Sequence, residues 1–191
     1  MEDRSDTIKS ICETLSSGDY SGASEIARRE YPFLAPSAGA RNFTETQALR
    51  IFVRDGFLDR YSGVRLLFPP VLRVLSALLP KEFPFHRNWK MSETHPAYWD
   101  LFPTLDHVVP IARGGADNKD NIVSTSMLRN SAKANWTLEE LGWSLHPPGQ
   151  MSEWDGMLAW FIDFVDRNKE IVKDRYIGRW HRVAQSWRSS T

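Results

Sequence analysis

The sequence predicts an α+β protein, a mainly helical chain built around a small two-stranded core, with a hairpin upstream and helices downstream. Three observations predict it. Apolar residues recur at helical spacing near both ends of the chain. Strand character is confined to short central segments, 101–107 and IVSTS at 122–126. The stretch RDGFLDRYSGVRL places turn pairs at Asp55-Gly56 and Ser62-Gly63, as a strand hairpin requires. A chain of 191 residues accommodates one domain, or one domain with a helical extension.

Taken in order, residues 5–16 and 22–30 read as two short helices broken at Ser17-Gly18-Asp19. A third spans 44–54, with Thr44 as its N-cap and Leu49, Phe52 and Val53 on one face. After the hairpin, Pro69-Pro70 opens VLRVLSALL, a helix closed by Pro80. Residues 81–100 read as irregular. Leu101 to His107 is a strand interrupted early by Pro103, and Val108 to Asn121 is a loop. The β-branched IVSTS follows, then a helix from Met127 to about Trp136. In the tail, Met157, Phe161, Phe164 and Val165 form one helical stripe, and Tyr176, Trp180, Ala184 and Trp187 form another. Core packing is the plain reading of these aromatics; base stacking is the sharper one.

The chain carries 24 basic and 24 acidic residues, a net charge of zero, which argues against a large uniform nucleic-acid footprint. The charge is nevertheless segregated. Residues 61–95 hold five Lys/Arg against two acids, 166–191 hold seven against three, and 137–165 hold none against five. A basic face therefore remains compatible with neutrality. The single cysteine, Cys12, excludes an intrachain disulfide and a cysteine-based zinc site. With a charged N-terminal stretch, MEDRSDTIKS, and no long apolar run, a cytoplasmic location is expected.

The chemistry concentrates in LDHVVPIARGGADNKDN, residues 105–121. Asp106 is a hard oxygen ligand suited to Mg²⁺ or Mn²⁺. His107 is a general base near neutral pH. At a strand end, where the backbone bends, the two can flank one site. The amide oxygen of Asn130, on the following helix, can complete a metal site that leaves most positions to water and substrate oxygen. Singly these residues are common. An Asp-His pair usually means nothing, Gly114-Gly115 is a turn, and Asn121 a loop cap. The case rests on their joint order and spacing.

That order, DHVVPIARGG, then Asn121, then NSAK at 130–133, resembles the HNH nuclease motif of the ββα-metal fold, closely over about 35 residues. The hairpin sequence is similar to the one that precedes the motif in many HNH proteins. The resemblance implies a metal-dependent endonuclease hydrolysing phosphodiester bonds. Asp106 and Asn130 would bind the metal. His107 would deprotonate the attacking water, and Asn121 would tie the loop and orient His107. Lys133 would face a phosphate, with Arg113 a looser candidate. His95, leading into the site through THPAYWDLFPTLDH, is a further candidate substrate contact. The implied organisation is an N-terminal helical region at 1–54, a nuclease core at 55–136 with an insert at 64–100, and a C-terminal helical extension at 137–191 packed on that core.

The chain departs from the many HNH proteins that carry a structural zinc on two Cys-x-x-Cys pairs. The four corresponding positions are Asp59, Ser62, Ser126 and Arg129, so no structural zinc is expected. In its place, an Asp59–Arg129 ion pair and a Ser62–Ser126 hydrogen bond are expected, against the alternative that these are solvated surface residues. The basic and histidine residues of the insert, Arg73, Lys81, His86, Arg87 and Lys90, read mostly as surface, against the alternative that they line a DNA channel. DNA is the expected partner. RNA, cut by a toxin of the same fold, is the alternative substrate. A catalytically silent nucleic-acid-binding or interaction domain is the alternative of another class. A homodimer through the Trp-rich C-terminal helices would pair two sites.

Overall fold

The computed structural model describes residues 4–33 and 43–189. The first three residues of the charged N-terminal stretch lie outside the described residues. Helices α1 (Ser5–Ser16) and α2 (Tyr20–Glu30) pack on each other. Asp19 caps α2 by accepting from the Gly22 amide, which starts that helix two residues ahead of its apolar pattern. Helix α3 (Glu45–Arg54) opens with a capping box in which Thr44 and Gln47 satisfy each other's amides. It buries Leu49 and Phe52, while Val53 is partly buried.

The turn sequence after α3 closes a minimal hairpin. Leu58 bridges Arg65, flanked by Asp59 N donating to Val64 O and Leu66 N donating to Phe57 O. Helix α4 (Pro69–Leu78) begins on its two prolines, whose missing amides cost nothing in a first turn. The rest of the insert holds a 3-10 turn at Met91–Glu93 and the short helix α5 (Ala97–Asp100), where the sequence reads as irregular. It has its own aromatic cluster. Trp89 meets Phe85, Tyr98, Trp99 and Phe102 edge-on.

Strands β1 (Pro103–His107) and β2 (Ile122–Ser126) form a two-stranded antiparallel sheet running from Pro103↔Ser126 to His107↔Ile122. Pro103 is the first strand residue, a position that tolerates proline. Helix α6 (Met127–Lys133) leaves β2 directly, capped by Ser126 Oγ, which accepts from the Arg129 amide. It is shorter than its sequence pattern. Ala134 adopts φ +46° and stops it before Trp136. The one-turn helix α7 (Leu138–Leu141), α8 (Leu158–Arg167) and α9 (Arg175–Arg188) complete the chain.

The main core is built by α3, α4, α8 and α9 around Phe68. Its ring meets Phe57 at 6.2 Å and Phe161 and Trp180 at 5.2 Å, all edge-on. The tail aromatics therefore pack within the chain; Trp180 is buried, and Trp160 and Trp187 pack against the core. Leu105 of β1 also packs on this core, which anchors the small sheet to the helical body. Among the described residues no helix is long and apolar enough to cross a membrane.

Candidate functional site

Two buried carboxylates hold the β1–loop–β2–α6 unit against the hairpin. Asp55, which caps the end of α3, accepts from the Ser124 amide at 2.7 Å and from the guanidinium groups of Arg54 and Arg60. Asp59, 1% exposed, accepts from the Tyr61 amide at 2.9 Å and the Ser62 amide at 3.2 Å in the hairpin. It also accepts from the Thr125 hydroxyl at 3.1 Å and the Ser126 amide at 2.9 Å at the end of β2. The expected Asp59–Arg129 pair is not formed. Arg129 instead lies over the Trp143 ring at 5.2 Å, because four donors from the two turns already fill the Asp59 carboxylate. Nor do Ser62 and Ser126 bond to each other: each donates its amide to Asp59, and the Ser126 hydroxyl oxygen is used as the α6 cap.

On β1, Thr104 and Asp106 alternate onto one face. Helix α6 lies against that face. Asn130 donates from Nδ2 to Thr104 Oγ1 at 2.9 Å and to Leu105 O at 3.3 Å, which leaves Oδ1 as the acceptor of that amide. One turn further, Lys133 Nζ lies 2.9 Å from Asp106 Oδ2 and donates to His107 O at 2.7 Å. The Lys133 side chain is fully buried, so it does not face outward toward a phosphate as expected; it neutralises Asp106 from within. Tyr61 donates to the same Asp106 oxygen at 2.7 Å. Burial, with the neighbouring carboxylate, pushes the Tyr61 phenol well above its ordinary range, so it stays a donor. Asp106 thus has Oδ2 committed internally and Oδ1 as its second acceptor. One carboxylate oxygen and one amide oxygen suit a hard divalent cation that keeps much of its water. Among the described residues no cluster of three or more His, Cys, Asp or Glu side chains has metal-binding geometry.

The His107 imidazole is tied to the loop. Nε2 lies 3.1 Å from Asp117 Oδ1. An ionised carboxylate only accepts, so in the neutral ring Nε2 carries the hydrogen and the lone pair sits on Nδ1. Asn121 closes the same loop on itself. Its Nδ2 donates to Val109 O and Ala116 O, each at 2.9 Å, and its Oδ1 accepts from Val109 N at 2.9 Å. No hydrogen bond joins Asn121 to the imidazole, whose orienting partner is Asp117. The loop also explains its two glycines. Gly114 sits at φ +83°, and a Cβ on Gly115 would stand 1.9 Å from Val109 O.

The remaining candidates lie apart from this network. Arg113 pairs with Glu140 at 3.4 Å. His95 stacks on Phe83 at 4.1 Å and accepts from the Ala97 amide at the start of α5, so it serves the insert. Sequence reasoning missed Tyr61 and Asp117. The only signal for Asp117 was an acidic residue in the motif loop, indistinguishable there from Asp120. Comparison of the chain with protein-family models, with curated proteins and with solved structures yields no match.

Proposed function

We propose that the chain is a metal-dependent HNH endonuclease that hydrolyses phosphodiester bonds in DNA. The observation that carries this reading is the pairing of a held imidazole with an oxygen-donor set on one β–loop–β–α unit. His107 has Nε2 fixed by Asp117, Asp106 of β1 is held by Lys133 of α6, and Asn130 of the same helix bonds Thr104 of β1. Asp106 and Asn130 would hold the ion. When bound, Mg²⁺ or Mn²⁺ supplies charge stabilisation to the scissile phosphate and the leaving oxygen. His107 Nδ1 takes a proton from the attacking water as its oxygen bonds to phosphorus, and the opposite P–O bond breaks. The imidazolium that results is stabilised by the Asp117 carboxylate at Nε2. Lys133 and Tyr61 hold Asp106 in place during this step.

The test is nicking of supercoiled plasmid by purified protein with Mg²⁺ or Mn²⁺. His107→Ala is expected to lose ~10²–10⁴-fold in rate, the range for loss of a general base, while circular dichroism is unchanged. Equal nicking by wild type and variant would overturn the assignment of His107. Metal-dependent cleavage of RNA with intact plasmid would move the substrate to RNA.

A further inference from the structure

Beside His107 the fold leaves a cleft of about 440 Å³ between α3 and the loop that enters β2. Asp117, the partner of the His107 imidazole, lines it, so the cleft and the proposed base share a wall. Ile51 and Ile122, both buried, line the cleft. Gln47, Arg50 and Asn118 contribute polar edges. Gln47 Oε1 is taken by the Thr44 cap and Asn118 Oδ1 by the Asp120 and Asn121 amides. Both amides are thereby turned so that their NH₂ groups are the remaining donors. Arg50 is exposed on α3 and forms no ion pair with another described residue.

We propose that this cleft takes one unpaired nucleotide of the DNA strand, next to the phosphate whose attacking water His107 deprotonates. The inference rests on the nuclease reading and deepens it. The lining fits a nucleobase: Phe43 and the edge of Ile51 give apolar surface for the flat ring, and the amides are donors for its carbonyl oxygens and ring nitrogens. Arg50 supplies the charge complement for the attached phosphate. The size selects one nucleotide. The cleft falls within the ~300–1,000 Å³ of small-ligand sites, far too small for a duplex. A base entering it must leave its stack, which favours single-stranded, mismatched or flexible positions.

A single-stranded DNA oligonucleotide carrying 4-thiothymidine is the probe, with His107→Ala protein and Mg²⁺ so that turnover does not consume it. Photocrosslinks mapped by mass spectrometry are expected on peptides containing Gln47, Arg50 or Asn118. Arg50→Ala is expected to weaken oligonucleotide binding several-fold and to flatten its log–log salt dependence by about 0.7, the value for one phosphate of a single strand. Crosslinks elsewhere, with binding insensitive to Arg50→Ala, overturn the cleft while plasmid nicking still stands. Crosslinks in the cleft without any metal-dependent cleavage by wild-type protein uphold the cleft and overturn the nuclease reading.

Discussion

At the scale of single residues, Lys133 and Tyr61 both engage Asp106 Oδ2, but they differ in what their loss leaves behind. Lys133 is fully buried and bonds two acceptors, Asp106 Oδ2 and His107 O. Lys133→Met removes the cation and strands a carboxylate that is only 12% exposed. The expected cost is ~3–5 kcal/mol, typical of breaking one side of a buried pair. Tyr61→Phe removes one hydrogen bond and keeps the ring beneath the Lys133 ammonium, 5.7 Å away. Its expected cost is ~0.5–1.5 kcal/mol. Urea unfolding of the two variants measures the difference. A cost for Lys133→Met no larger than that for Tyr61→Phe would contradict the burial argument, and would return Lys133 to the outward, phosphate-facing role that its sequence position suggested.

Among the elements, the junction of hairpin, β2 and α6 hangs on Asp59, which gathers donors from both turns. Asp59→Ala leaves two buried amides and a buried hydroxyl without acceptors, at an expected cost of ~3–4 kcal/mol. Arg129→Ala loses only a contact over Trp143, expected to be worth ~0.5–1 kcal/mol. A double-mutant cycle between the two should show coupling near zero; strong coupling would revive the ion pair that the four positions led one to expect. The same junction shows what is legible in a sequence. Thr44, Pro69-Pro70 and IVSTS were readable because caps, prolines and strand propensity act over a few neighbouring residues. Helices α5 and α7, each four residues long, were not, because so short a helix is set by tertiary packing rather than by periodicity. The inward turn of Lys133, the Tyr61–Asp106 bond and the filling of Asp59 join residues between 26 and 67 positions apart, and no local pattern encodes them.

Across the whole molecule, the insert and the C-terminal helices meet at an ion pair that makes stability depend on pH. Arg73 of α4 donates to Asp174 Oδ2 at 2.7 Å, with its guanidinium 4.2 Å from the Phe85 ring centroid and 5.7 Å from that of Tyr176. Asp174 also caps α9, accepting from the Tyr176 and Ile177 amides. Burial alone would raise the Asp174 carboxyl, but the Arg73 hydrogen bond and these amides outweigh it and hold the group below the usual carboxylate range. A carboxyl depressed in the folded state contributes stability that is fully present above its unfolded value, about 3.9, and is lost as pH falls through the lower folded value. Asp174→Asn separates the pair from the cap, since asparagine caps a helix about as well as aspartate. The variant is expected to lose about 1–2 kcal/mol at pH 7, the pair being partly solvated, and to lose less extra stability than wild type as pH falls below about 4. Thermal unfolding of both proteins between pH 7 and pH 2.5 checks this. Parallel curves for the two would mean that Asp174 titrates alike in the folded and unfolded chain, and that insert and tail are joined by their aromatic contacts alone.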